Sequence, residues 1–222
     1  MTLPDLSLVE SRVLGVLVEK QHTVPDTYPL TLLALTAGCN QKTSREPVLN
    51  ATEAEVQAAI DRLKTFTLVV ESSGGRVMRY AQNVGRLLGI PAQAVALLAV
   101  LMLRGPQTVG ELRINCDRLH RFADTSAVEA FLHELAARSE GPLVVLLPRQ
   151  PGEREARWAH LLSGAPPASA SAHRGADEPA NDAPSVSSIA ALEGRVSDLA
   201  NEVDALKATV AKLAAALGQS VR

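Results

Sequence analysis

Between residues 7 and 161 apolar positions recur first at helical and then at strand spacing, and the whole order is written twice. The first copy runs from about Ser7 to Tyr80, the second from about Pro91 to Leu161. In the first copy Val9, Val13, Leu14 and Leu17 mark a helix from Ser7 to about Lys20. Pro25 and Pro29 then break the chain, and Pro29 is placed to open a short second helix, Leu30 to Gly38, where its missing N–H costs nothing. After a polar connector, Asn40 to Asn50, a third helix from Thr52 to about Phe66 repeats apolar residues at Val56, Ile60, Leu63 and Phe66. Leu68–Val70 and Val77–Tyr80 flank Ser73-Gly74-Gly75 and read as a hairpin. The second copy is tighter. A helix from Ala92 to Leu103 ends at Gly105-Pro106, a second starts at Thr108 and carries Leu112 and Leu119, and a third starts at Ser126. That third helix should bury Val128, Phe131, Leu132 and Leu135, with Leu143–Leu147 and Ala156–Leu161 completing a second hairpin. Four starts carry the capping box, in which a hydroxyl and a Glu three residues on satisfy orphan amides reciprocally: Ser7/Glu10, Thr52/Glu55, Thr108/Glu111 and Ser126/Glu129.

Three helices closed by a hairpin is the order of a winged helix. The predicted fold class is therefore mainly α with small β-hairpins: tandem winged helix-turn-helix domains, each packed on its own core, over residues 1–84 and 85–163. A single six-helix bundle with incidental strands is the competing arrangement, and the five β-favouring aliphatics at 143–147 fit it poorly. From Ser163 the composition turns to Ala, Ser and Pro, so residues 164–186 read as a disordered linker. Residues 187–218 read as a coiled-coil helix. Ile189, Leu192, Val196, Leu199, Val203, Leu206, Val210, Leu213 and Leu217 alternate spacings of three and four, the period of a coiled-coil seam. β-Branched residues at most a positions and Leu at every d favour a parallel homodimer; pairing with another chain, or folding back, stays open.

Composition narrows the function classes. Aromatics make up only 3% of 222 residues, which argues against recognition of single-stranded nucleic acid by stacking. The net charge of −2 gives no global attraction to DNA, so any nucleic-acid surface has to be a local patch. Cys39 and Cys116 stand in different copies without CxxC or Cys/His spacing, as expected of buried hydrophobes in a reducing compartment. No basic-then-apolar leader and no membrane-length apolar run is visible, so the expected location is cytoplasmic, with no membrane partner. No phosphate loop, nucleophile elbow or clustered histidines are seen. The expectation is a non-enzymatic protein without metal or cofactor.

Binding residues are sought where a winged helix meets its partner, on the third helix, the connector before it and the wing. The connector supplies Asn40, Gln41, Lys42, Thr43 and Arg45, side chains suited to phosphates or base edges. Lys64 closes the first third helix; Arg76 and Arg79 lie on the first wing, and Arg149, Arg154 and Arg157 on the second. Against DNA, the third helices are not basic: Glu53, Glu55, Gln57 and Asp61 precede Lys64, and His133 and Glu134 occupy the matching face in the second copy. Two readings of the connector stay open. It is a binding surface, or it is a self-bonded loop in which Arg45 pairs with Glu46 or Glu19 and Asn40 caps the second helix.

The segments Glu10–Lys20, Tyr28–Thr31 and Cys39–Val48 (CNQKTSREPV), with residues 103–108 (LRGPQT), Gly110–Arg113 and Pro151–Arg157, resemble the YceH-like family of uncharacterised bacterial proteins over about Leu6 to Gly164. Leu33 stands where that family usually has Asn, and Trp158 where Tyr is common. The tail resembles the variable coiled-coil end that some members carry. The resemblance implies a tandem winged-helix fold in a bacterial cytosolic protein and supplies no activity. From the residues, the expected role is association with double-stranded DNA in regulation; the alternative is protein–protein interaction as an adaptor using the winged-helix surfaces and a dimerising tail.

Overall fold

A computed structural model of the chain describes residues 5–73 and 77–165. The expected linker and heptad helix lie outside these residues, as does Arg76. The described chain is mainly helical with two small antiparallel sheets.

In the first half, α1 (Leu8–Thr23) opens with the Ser7/Glu10 capping box and is followed by a single 3-10 turn at Pro25–Thr27. The expected start of the second helix is displaced. Leu30–Thr31 form a short strand, β1, and α2 (Leu32–Cys39) begins after it with Thr31 as N-cap. The reason is local: the Thr31 hydroxyl accepts the Ala34 amide and supplies the cap that Pro29 lacks. The α3 helix (Glu53–Thr65) carries the Thr52/Glu55 box and buries Val56, Ile60 and Leu63, as the spacing predicts. Strands β2 (Val69–Ser72) and β3 (Arg79–Gln82) pair antiparallel and lie one or two residues beyond the expected ranges; β1 pairs with the other edge of β3.

A five-residue helix, α4 (Val84–Leu88), ends at Gly89, whose φ of +62° suits glycine, and leads into the second half. There α5 (Ala92–Arg104), α6 (Val109–Asn115) and α7 (Thr125–Ala136) precede β4 (Val144–Leu146) and β5 (Trp158–His160). The Thr108/Glu111 capping box forms. The Ser126/Glu129 box does not. Asp124 is the N-cap, accepting from the Ala127 amide at 2.9 Å, and Ser126 instead donates its hydroxyl to Asp124 at 2.7 Å. A carboxylate one residue before the helix is the stronger acceptor, and it draws the start back to Thr125.

The buried side chains of both halves form one continuous apolar cluster rather than the two separate cores expected. Its centre is the packing of α1 against α5, the two helices with the longest runs of consecutive buried residues, 10–18 and 94–103. Gly15 permits this approach: a Cβ there would come within 2.9 Å of Leu103 Cγ. Polar ties reinforce the junction. Leu6 N donates to Leu162 O, and Glu46 N to Leu103 O, each at 2.7 Å. Among the described residues no helix is long and apolar enough to cross a membrane.

Candidate functional site

The CNQKTSREPV connector, residues 39–48, is built around two inward-facing guanidinium groups. Arg12 on α1 is fully buried and donates to Cys39 O at 3.1 Å and Pro47 O at 2.6 Å, tying both ends of the segment to the helix. Burial first, and the charge of Arg45 second, lower its pKa from the ordinary arginine value. Arg45 is 5% exposed and makes a fork-to-fork pair with Glu19, Nη1–Oε1 3.1 Å and Nη2–Oε2 2.6 Å. Its remaining protons go to Gly38 O, Ser44 O and Gln41 Oε1. Burial pushes the Glu19 carboxyl up, but the hydrogen bonds and charge of Arg45, helped by Lys20, bring it net below its ordinary value.

Asn40, the C-cap of α2, clasps Ala51 twice: Nδ2 donates to Ala51 O and Oδ1 accepts the Ala51 amide, both at 2.8 Å. Gln41 Oε1 also accepts from Lys20 at 3.2 Å. The self-bonded reading therefore describes Asn40 and Arg45, with Glu19 rather than Glu46 as the partner. Lys42 and Thr43 are exposed, without partners among the described residues.

The other singled-out cations are spread over both halves and are mostly engaged. Lys64 on α3 pairs with Glu71 on β2, and this contact raises its pKa. Arg79 Nη1 donates to Thr27 O and Pro29 O at 3.1 and 2.8 Å, holding the turn before β1. Arg157 lies between Glu153 (3.0 Å) and Glu111 (2.7 Å), clasping the second hairpin to the start of α6. Arg149 and Arg154, in the turn between β4 and β5, are exposed and make no ion pair or hydrogen bond with described residues. Arg76 lies outside the described residues.

The third helices present acid to solvent. On α3, Glu53, Glu55 and Asp61 are exposed, while Arg62, also exposed, is paired with the buried Glu10 at 2.5 Å. On α7, Glu129 and Glu134 are exposed beside His133, whose ring meets Trp158 edge-on at 5.3 Å. Sequence reasoning passed over Arg12 and the Glu10–Arg62 pair. The signal for Arg12 was present: a cation directly abutting the unbroken apolar run Val13–Val18 of the first helix. Burial raises both thiols, Cys39 and Cys116, to about 12, so neither is a nucleophile at neutral pH. Among the described residues there is no cluster of three or more His, Cys, Asp or Glu able to hold a metal ion.

Residues 6–153 match the family described as "Protein of unknown function, DUF480". Similar curated proteins carry the name UPF0502 protein. That of Burkholderia multivorans is 58% identical, over 97% of this chain and 91% of its own length. That of Dechloromonas aromatica is 59% identical over 92% and 94%, and that of Methylibium petroleiphilum 66% over 77% and 73%. On these grounds, the chain belongs to the DUF480/UPF0502 family of uncharacterised bacterial proteins.

Proposed function

We propose that this is a non-enzymatic cytosolic protein of two winged helices, α1–α3 with β1–β3 and α5–α7 with β4–β5, and that its partner is another protein. The third helices α3 and α7 and the hairpins supply the docking surface, and the heptad tail pairs two copies. One observation carries the reading: both third helices expose carboxylates where a groove-binding helix needs donors, while Arg45, Arg79, Arg157 and Lys64 are spent on internal partners. Phosphate-driven affinity depends on free cations, and an acidic helix face is repelled by duplex DNA. The partner therefore presents basic or mixed polar side chains to α3 and α7. Pairing through the tail raises the effective concentration of two weak surfaces on one assembly.

Duplex DNA is the second reading. Arg149 and Arg154 favour it, because they are exposed at the tip of the second hairpin, where a wing meets the backbone, without an ion pair among the described residues. Fluorescence anisotropy with random-sequence duplex separates the two. Binding that weakens tenfold or more between roughly 50 and 200 mM salt establishes the DNA reading. The protein-docking reading expects no binding at either salt. It also expects Glu53→Lys/Glu134→Lys to lose co-purifying proteins that Arg149→Ala retains.

A further inference from the structure

The two halves meet at a cleft that the proposed docking surface does not use. Its walls are the last turns of α1 (Glu19, Lys20) and α5 (Leu103, Arg104), the connector (Gln41, Thr43, Ser44) and the end of α6 with its following turn (Asn115, Arg118). The cavity holds about 340 Å³, near the lower bound of small-molecule sites. Its charge is one-sided. Glu19 is the one acidic residue in the lining, and its carboxylate is already bound by the two Nη groups of Arg45. Against it stand Lys20, Arg104 and Arg118.

The donors are placed for an anion. Arg104 Nη2 donates to Ser44 Oγ at 2.6 Å, which leaves the Ser44 hydroxyl proton available. Ser44 is held there at a φ of +59°, a conformation L-residues seldom adopt. Such a backbone is retained where surrounding bonds over-determine it, and here the Ser44 carbonyl, the Ser44 hydroxyl and the Arg45 side chain are all engaged. Thr43 Oγ1 has no partner among the described residues. Lys20 has a third proton beyond its contacts with Gln41 and Glu19. Arg118 is exposed and makes no ion pair or hydrogen bond with described residues, so its whole guanidinium is available to a ligand. Burial lowers the Arg104 pKa, with Arg45 adding to the effect and Glu19 opposing it; an anion in the cleft would offset that burial.

We infer that this cleft binds a small phosphomonoester dianion. Three cations with two hydroxyls suit the charge and the acceptor-rich oxygens of a phosphate. The lining contains no aromatic residue, so nothing stacks on a base and a compact sugar or alkyl phosphate fits better than a nucleotide. Because the lining draws on both halves, the bound anion would join the connector to α5 and α6. It would thereby fix the spacing of the two docking helices.

The test uses the full chain, isothermal calorimetry and thermal melts, with glycerol 3-phosphate, inorganic phosphate and succinate at matched ionic strength. Saturable 1:1 binding of glycerol 3-phosphate is expected, with a matching rise in melting temperature. Arg118→Ala should weaken it tenfold or more while melting like the parent in chloride. Arg121→Ala, an exposed cation outside the cleft lining, should leave it unchanged. Absence of saturable binding overturns the inference, as does equal loss in both variants or tighter binding of succinate than of either phosphate.

Discussion

The two halves repeat one plan and stabilise it by different means. Each places a cap-bearing helix after a bridge to the last strand. In the first half Leu30 and Thr31 pair with Tyr80 and Arg79, and in the second Gln107 alone bridges Trp158 through two backbone bonds of 3.0 and 2.7 Å. The connectors before α3 and α7 then diverge. Residues 40–52 are organised by the buried guanidinium groups of Arg12 and Arg45. Residues 116–124 are organised by ring edges, His120 on Phe122 at 4.7 Å and Phe122 on Phe131 at 6.0 Å. A charged anchor is directional and fails badly when one partner is lost. An aromatic anchor is more tolerant because its contacts are not set by charge.

The largest effect should follow from breaking the charged anchor. Arg45→Ala leaves the partly buried Glu19 carboxylate with only Lys20 beside it at 3.5 Å, so the cost should approach but not exceed the value of about 3–5 kcal/mol for a fully uncompensated buried pair. Adding Glu19→Gln should recover part of that loss, and the double-mutant cycle in urea measures how much. The same experiment asks whether the halves are separable. Trp158 is the single tryptophan and lies in the second half, so its fluorescence reports that half while circular dichroism reports both. With one continuous core through α1 and α5, Arg45→Ala should shift both transitions together. A fluorescence midpoint that stays in place while the dichroism moves would show two independently folding modules.

Acid should affect the halves in sequence. His160 in the second half has Nδ1 sealed from solvent without a partner, and burial lowers its pKa from 6.5 to about 4. Between those values the unfolded chain binds more protons than the folded one, so stability falls as pH drops from about 6.5 towards 4, by at most about 3 kcal/mol. Glu19 in the first half is depressed below 4.5, so its share is intact above that value and is lost only below it. His160→Gln should flatten the upper limb of a urea-midpoint profile and leave the lower one, and the Glu19→Gln/Arg45→Ala pair should do the reverse.

Close packing gives a smaller test. A Cβ on Gly38 would meet Val16 Cγ1 at 2.6 Å, and the branched Val16 on a buried helix has no free rotamer to retreat into. Gly38→Ala should cost about 1–3 kcal/mol despite alanine's better helix propensity. Gly110→Ala in the second half meets nothing nearer than 3.9 Å and should be neutral or mildly stabilising. Equal effects at the two sites would mean that α1 and α2 are not as close as the structure places them.

What the sequence made legible follows from how local each signal is. Capping boxes and apolar stripes are read within a turn or two, so α1, α3, α5 and α7 stand close to their expected ranges. Strand β1 was missed because two residues carry no periodicity; only their pairing with β3, some fifty positions away, defines them. Helix α4 was missed for a similar reason, being five residues without a side-chain cap. The shared core could not be read either, because unbroken apolar runs such as Val13–Val18 in α1 and Val95–Leu103 in α5 do not say which neighbour covers which face. In the connector, polarity was legible and direction was not. Arg45 and Lys42 look alike in the sequence, yet one is 5% exposed and bonded to Glu19 and the other faces solvent.

The smallest predicted difference settles which residue begins α7. Sequence reasoning placed the start at Ser126 with Glu129 as the reciprocal partner, while the structure gives the cap to Asp124. Losing a true N-cap costs about 1 kcal/mol, and losing an exposed serine that only donates to it costs less than about 0.5 kcal/mol. Asp124→Ala should therefore lower the urea midpoint about as much as Thr108→Ala does at the head of α6, where the capping box forms. Ser126→Ala should stay near the parent. The Asp124 carboxyl is held below its ordinary value by the Ala127 amide first and the Ser126 hydroxyl second, so its contribution should also fade on acidification, as that of a neutral threonine cap does not. A larger loss at Ser126 than at Asp124 would return the start of α7 to the position that the serine–glutamate spacing favours.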